Sequence, residues 1–433
     1  MQVSVEDTGG LERRLTVNIP EDEFLGKIET KLRDLCKQVK IKGFRPGRVP
    51  MSVVKQRYGK QVRREIVTEA MQFSLQQAIQ DEKLRPATQP QVDKVPESLD
   101  KGDLEFSAVL EVYPDIGEID VSTLEVSRPQ ATVEDEDVEE MLQTLRKQRR
   151  TWDLVERKAK AGDQVLLEYA AEVDGNRVPE EDMQRLAIIM GESGFDELEK
   201  AIAKIPAGEE KNVKLNFPEG FREPRLAGKK APVDLKVISV KESNLPEVNE
   251  EFIRDFGVED GTEETLREEI RLNLERELAQ AINSITKRRL ISALVKSKPE
   301  MQVPKGIVRE EARSLAAQTA ARQGMEPNAA MAEQFMPIAE ERVRGGLLMG
   351  ELSHINGIRS DGARVREAIE TLASTYQQPE EVVQMYYSNE NLLRQVESSV
   401  MEDQVVDWVL ENAKVTPQEL KFQEVIAKAT SGE

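Results

Sequence analysis

Leu266, Ile270, Leu274, Leu278, Ile282 and Ile285 recur every three or four positions between Thr262 and Pro299. That spacing aligns them on one face of an α-helix. Gly261-Thr262 followed by Glu263 and Glu264 marks the start, and Lys298-Pro299 the end. At 1.5 Å per residue such a helix extends about 54 Å, longer than a small domain is wide. A chain built on it is not one compact core. Its 433 residues are enough for two to four domains.

Beyond Pro246 almost everything reads as helix. Further stretches are predicted from Val308 to Gln323, Ala329 to Met349, Gly362 to Ser374, Pro379 to Tyr387 and Leu392 to Asn412. Their apolar faces are narrow and rich in Ala and Met, and seven of the thirteen methionines lie between Met301 and Met401. Faces of this kind bury little, which predicts extended arms rather than a globule.

The first half is mixed. Leu15, Val17 and Ile19 alternate as in a strand. A helix opens at Pro20 with Phe24, Ile28, Leu32, Leu35 and Val39, and a second is marked by Val62, Ile66, Ala70 and Phe73. Leu104, Phe106, Ala108, Leu110 and Val112 form the last strand of this domain. The acidic, Gly- and Pro-punctuated run from Pro114 to Pro129 reads as linker. Val138, Met141, Leu142 and Leu145 line a short helix whose basic end, Lys147 to Arg150, complements the helix dipole. From Ala161 to Glu242 short strands take over, at Val165 to Tyr169, Lys211 to Phe217 and Pro232 to Val240, with a helical stretch from Phe195 to Ala203.

Several function classes drop out. One cysteine, Cys36, forbids an internal disulfide and points to a reducing, cytoplasmic setting. No stretch approaches the roughly 20 apolar residues of a membrane span, and the first residues lack the pattern of a signal peptide. A single histidine, His354, leaves no material for His-based zinc sites or Ser-His-Asp triads, so no metal site is expected. No phosphate-cradling glycine motif is found, so no nucleotide or other cofactor is expected.

One segment breaks the charge pattern. From Cys36 to Arg64 there are ten Lys or Arg residues and no Asp or Glu, in a chain of net charge −20, which leaves −30 for the rest. Such a local reversal marks a docking surface for something anionic. At its centre Gly43-Phe44-Arg45-Pro46-Gly47-Arg48-Val49-Pro50 falls between two helices. The glycines can adopt positive φ and the prolines fix φ near −65°, which predicts a stiff tip holding Phe44 and Arg45 outward. Taken alone, the same residues also fit an ordinary solvated loop.

The loop resembles the trigger factor family, ribosome-associated chaperones of bacteria. The family signature, Gly-Phe-Arg-x-Gly-x-x-Pro, is met by Gly43, Phe44, Arg45, Gly47 and Pro50, and Lys42, Val49, Met51, Gln56, Arg57, Tyr58 and Gly59 extend the likeness. Pro46 departs from it, standing where a basic residue is frequent. The resemblance implies an α+β multidomain fold: an N-terminal α/β ribosome-docking domain (1–113), a linker and connecting helix (114–160), a small FKBP-like β-rich domain (161–245), and an extended all-α chaperone domain with helical arms (246–433). It implies docking on the large ribosomal subunit near the exit tunnel, to protein and RNA, through Gly43, Phe44, Arg45, Gly47, Arg48 and Pro50. It also implies nascent unfolded polypeptides as partners, no ATP and no membrane, and it leaves a homodimer off the ribosome open.

The middle segment resembles FKBP-type prolyl isomerases, which twist an X-Pro bond in an aromatic-walled pocket. Tyr169, Phe195 and Phe221 stand at pocket positions. Leu198 stands where the family has Trp or Phe at the pocket floor, and Val178 and Val233 stand where Phe is common. The Gly-Phe-Glu-x-Gly string appears as Glu197-Leu198-Glu199-Lys200-Ala201, and the loop between Val178 and Met190 lacks its glycines. The expectation is a retained fold with weak or lost activity. On the helical half, Met325, Met331, Phe335, Met336, Leu347, Met349, Met385, Tyr386 and Tyr387 are candidates for client contact, since methionine adapts to many shapes, and equally for arm-to-arm packing. Two rival readings remain, a prolyl isomerase whose main work is catalytic and a nucleic-acid binder. Few stacking aromatics and the acidity elsewhere oppose the second.

Overall fold

The computed structural model describes residues 2–39, 41, 44, 49–94, 102–173, 175–180, 182–374, 376 and 378–432. The chain divides into two compact units, one formed by Met1–Pro129 with Ser284–Gln418 and the other by Gln130–Asn283 with Glu419–Glu433. In chain order the N-terminal part holds β1 (Gln2–Gly9), β2 (Glu12–Ile19), α1 (Asp22–Gln38), α2 (Met51–Asp81), β3 (Gln91–Lys94) and β4 (Leu104–Glu111). A connector carries a 3-10 turn (Val121–Thr123), β5 (Glu125–Gln130) and α3 (Asp135–Gln148). The middle part holds β6 (Thr151–Val155), β7 (Gln164–Val173), β8 (Asn176–Val178), β9 (Gln184–Ile189), α4 (Asp196–Ile202), β10 (Glu210–Asn216) and β11 (Lys230–Asn244). The remainder is helical, with α5 (Glu250–Asp255), α6 (Glu263–Ser297), α7 (Lys305–Gln323), α8 (Ala329–Gln334), α9 (Met336–Ile355), α10 (Gly362–Ala373), α11 (Pro379–Ser388) and α12 (Glu390–Asn412). Strand β12 (Lys414–Glu419) and helix α13 (Phe422–Ser431) close the chain. No helix among the described residues is long and apolar enough to cross a membrane.

In the first unit, β1-β2-β4-β3 form an antiparallel sheet. The alternation of β2 sends Leu15, Val17 and Ile19 inward. Helices α1 and α2 cover that face with Phe24, Ile28, Leu32, Val54, Val62, Ile66 and Val67. The run read as linker differs from expectation. It folds into the 3-10 turn and β5, and β5 pairs with β12 from the other end of the chain. Ile119, Val121, Leu124 and Val126 pack there against Leu290 and Leu294 of α6, Leu348 and Leu352 of α9, and Val405 and Val409 of α12. Arg289 secures the same place, donating to the Ser127 carbonyl (3.1 Å) and to Gln418 Oε1 (2.8 Å). The helix expected from Ala329 to Met349 is interrupted at Phe335, two residues before Pro337, whose ring and missing N–H favour a fresh helix start over continuation.

In the second unit β11 is the spine, pairing antiparallel with β10, β7 and β6, while β7 also pairs with β8 and β9. Val165, Leu167 and Tyr169 of β7 and Val233, Leu235 and Val237 of β11 alternate into one core beneath α4. The first half of α6 belongs to this unit, where Leu266, Ile270 and Leu274 pack with Val138 and Leu142 of α3 and Phe252 and Ile253 of α5.

The turn into β7 is held by a buried charge. Arg157 bridges Asp163 (Nη2 to Oδ1, 3.0 Å) and Glu242 (2.8 Å), and the Lys160 N–H donates to Asp163 Oδ2 at 2.8 Å. Burial alone would raise the Asp163 carboxyl, but the Arg157 guanidinium and the Lys160 amide hold it below its usual value. The depressed carboxyl adds stability that is complete above the unfolded value near pH ~4 and is lost as pH falls through the lower folded value. Asp163→Asn is therefore expected to lower the middle-part unfolding transition at pH 7, with the gap to wild type narrowing at pH 3. Urea unfolding at both pH values tests this; an equal gap at both would remove Asp163 as the source.

Candidate docking tip and middle-domain pocket

The segment between α1 and α2 is anchored at both feet. Ile41 and Val49 are buried in the core that α1 and α2 share with the sheet. Between them Phe44 keeps 40 % of its surface exposed, and its N–H donates to the Ile41 carbonyl at 3.1 Å. Phe44 is thus an exposed aromatic between two buried aliphatic feet. Pro50 is exposed and extended, and heads α2. Gly43, Arg45, Gly47 and Arg48, with Lys42 and Pro46, lie outside the described residues.

The basic island is not uniform. Lys55, Arg57, Lys60 and Arg64 are exposed along α2, whose first turn has no acidic residue. Arg63 instead turns inward, stacking 5.1 Å from the Phe24 ring centroid, pairing with Glu21 at 2.6 Å and donating to the Gly102 carbonyl at 3.0 Å. It braces the domain, its charge paired with Glu21 rather than presented at the surface. Cys36 Sγ lies 3.8 Å from Met51 Sδ, joining the end of α1 to the start of α2.

The second candidate site lies in the middle part. Tyr169, Phe195, Leu198, Phe221 and Val233 come together with Leu167, Leu186, Leu215, Phe217 and Leu235. Val178 is buried in the same core, opposite Ala171 in the ladder, but does not line this pocket. Phe217 escaped the sequence reading. Its centroid lies 4.8 Å from Phe221 and 5.5 Å from Phe195, and Phe221 lies 6.2 Å from Tyr169. The alternation Val213, Leu215, Phe217 at the end of β10 was the signal available for it. The Tyr169 hydroxyl donates to Gln184 Oε1 at 2.9 Å. Burial, reinforced by Glu223 and opposed by Arg222, raises the phenol, so it stays a donor.

The free space in this cleft measures about 10 Å³, room for roughly one water and far too little for a prolyl ring. The volume an indole would fill at position 198 is therefore not left as a void; the surrounding rings and leucines occupy it. Glu199 keeps the neighbouring turn in place, accepting from the N–H groups of Gly191 (2.8 Å) and Ser193 (3.2 Å).

The client-contact candidates separate by environment. Met325, Met385 and Tyr387 are exposed; Met331 and Leu347 are partly covered. Phe335 and Met336 pack on Val308, Ala312 and Leu315, Tyr386 packs on Val365 and Ile369, and Met349 is buried with Leu290 and Leu294. Ile338, Leu372 and Tyr376 are exposed apolar residues that helix periodicity did not single out.

Comparison with known proteins matches the chain to three family models. Residues 1–145 match "Bacterial trigger factor protein", residues 262–411 match the trigger factor C-terminus, and residues 155–239 match "FKBP-type peptidyl-prolyl cis-trans isomerase". Curated relatives include "Trigger factor" of Xanthomonas campestris pv. campestris strain B100, 41 % identical over 98 % of this chain and 100 % of its own. "Trigger factor" of Stenotrophomonas maltophilia is 39 % identical over the same shares. A solved structure of the trigger factor chaperone aligns with 95 % of this chain and 99 % of its own at 18 % identity and a TM-score of 0.49, too slight a likeness to argue from.

The filled pocket makes a specific demand. Leu198→Trp should overpack it and lower middle-part stability by about 1–3 kcal/mol, with no gain in isomerisation of an Xaa-Pro peptide. Urea unfolding and a peptide isomerisation assay on the same variant check this. A faster variant of unchanged stability would mean that the pocket opens readily and that only its floor was missing.

Proposed function

The chain belongs to the trigger factor family, and from that premise we propose that it is a ribosome-docked, ATP-independent holder of nascent polypeptides. The observation that carries this reading is Phe44, exposed between the buried feet Ile41 and Val49 inside the basic island of an acidic chain. Residues 1–113 supply docking on the large subunit beside the nascent-chain exit. Phe44 fills an apolar notch, Arg45 binds a carboxylate or phosphate bidentately, and Gly43, Gly47, Arg48 and Pro50 shape the tip. Lys55, Arg57 and their neighbours add a screened attraction to ribosomal RNA. Residues 246–433 hold unfolded segments through many weak apolar contacts, with Met325, Met385 and Tyr387 the best presented of the candidates. Summed weak contacts give avidity together with release that needs no ATP.

Residues 161–245, joined through 114–160, supply an FKBP-like domain of weak isomerase activity, in keeping with its filled pocket. The same reading includes a cytoplasmic location. It is tested by cosedimentation of the full chain with non-translating ribosomes. The wild type should pellet, and Phe44→Ala/Arg45→Ala should bind at least about tenfold more weakly while remaining folded. Equal pelleting would move docking elsewhere on the island, and no pelleting by either would leave an unanchored holdase.

A further inference from the structure

Helix α7 begins the first helical hairpin, formed by α7, α8 and α9, with Pro304 just ahead of it. The first N–H groups of a helix have no partner inside it and need an acceptor from elsewhere. Pro304 supplies no side-chain cap, and the first turn of α7 contains no acidic residue. The acceptor comes from the end of β4 in the N-terminal sheet. Glu111 Oε1 accepts from the Lys305 N–H at 3.1 Å, and Glu111 Oε2 from the Gly306 N–H at 2.6 Å. A carboxylate at this end of a helix also meets the positive pole of its dipole.

The capping residue is itself fixed. The Glu111 N–H donates to Thr88 Oγ1 at 3.2 Å, and its carbonyl accepts from the Ala87 N–H at 2.7 Å. Glycine makes the approach possible. A Cβ on Gly306 would lie 2.4 Å from Thr88 Cγ2 and 3.0 Å from Glu111 Oε2. At the β1–β2 turn Gly10, at φ +61°, faces the Gln302 side chain, whose Oε1 would lie 3.0 Å from an added Cβ. The hairpin keeps its own apolar cluster of Val308, Ala312, Leu315 and Ala339, while Leu15, Leu110 and Val112 belong to another on the sheet.

We propose that Glu111 is a positioning residue: its carboxylate latches the root of the first hairpin to the N-terminal sheet and so sets the direction in which α7 leaves it. The latch is polar and joins the start of α7 to a sheet with its own core, so opening it leaves the hairpin rooted through the far end of α9, where Leu348 and Leu352 pack on α6, without unfolding the sheet. Its meaning for nascent chains rests on the function proposed above, since it makes the attitude of a client-holding hairpin depend on the domain that docks.

The test uses the full chain with Cys36→Ser, spin labels on Ser4→Cys and Ala317→Cys, and pulsed electron resonance distances between them. The parent should give one narrow distribution. Glu111→Ala should broaden it and speed exchange of the Lys305 and Gly306 amides by roughly tenfold, the loss expected for a helix cap. Glu111→Gln, which keeps one acceptor oxygen, should fall between. Gly306→Ala should broaden the distribution by steric conflict, and adding Thr88→Ser, which removes Cγ2 and keeps Oγ1, should narrow it again. That rescue separates positioning from a general loss of stability, and it carries the test alone if Glu111→Ala does not fold. An unchanged distribution in Glu111→Ala or Glu111→Gln, or a Gly306→Ala effect that Thr88→Ser does not relieve, would overturn the latch. Ribosome cosedimentation of the same proteins keeps the two ideas apart: a parent that fails to pellet counts against docking, whatever the distances show.

Discussion

The apolar stripe of α6 is the constraint on which the other elements depend. Leu266, Ile270 and Leu274 are core residues of the second unit, and Leu290 and Leu294, further along the same helix, are core residues of the first. A single uninterrupted helix thus supplies side chains to two cores that could not share a globular element. Each core completes itself with chain from both directions. The second recruits α3 from upstream and Phe422, at the start of α13, from the far end. The first recruits the connector before α3 together with α9 and α12. In sequence the middle strands are therefore inserted between α3 and α5, so the second core is built from segments distant along the chain.

Local periodicity made most of the framework legible. The α6 stripe, the α1 pattern from Phe24 to Leu32 and the alternation in β2, β4, β7, β10 and β11 all correspond to elements whose buried faces are set by sequence neighbours. What stayed hidden was set by distant partners. β5 lies in a run punctuated by Pro and Gly, and only β12, near the other terminus, makes it a strand. β1 is a sheet edge whose residues are mostly exposed, so its alternation carries little hydrophobic contrast. The break at Phe335 was readable in principle, because Pro337 stands two residues beyond it, but the continuing apolar pattern argued the other way.

The candidate sites divide along the same line. Phe44, flanked in sequence by Gly and Pro residues, is exposed between the buried Ile41 and Val49. That Arg63 is absorbed into a brace could not be read from the charge run, since it depends on Glu21, Phe24 and Gly102 meeting it in space. The middle-domain pocket shows the sharper limit. Sequence identifies that Leu198 replaces an aromatic, but whether that leaves a hole or a repacked wall depends on Phe217, Leu186 and Leu215 filling the volume. Packing density near that of an organic crystal is reached by many neighbours shifting slightly, and no motif encodes it.

The helical hairpins differ from the rest in how little they bury. The α7–α9 hairpin closes around Val308, Ala312, Leu315 and Ala339, and the α10–α12 group around Val365, Ile369, Val396 and Val400. Each fully buries a few small or medium side chains, with Phe335 and Met336 or Tyr386 only partly covered beside them, where the middle domain buries Tyr169, Phe195 and Phe217. Apolar side chains that a larger core would absorb stay outside, among them Ile338, Leu372, Tyr376, Met385 and Tyr387. Thin cores put these elements at the low end of local stability, where small rearrangements cost little. A surface meant to accept many unrelated sequences needs that property, because a rigid, deeply packed face would discriminate among them. On the function proposed here, the negative charge spread over the chain is then the counterpart of the exposed apolar groups. It keeps molecules carrying such surfaces from associating with one another while leaving short-range contact with an unfolded segment intact.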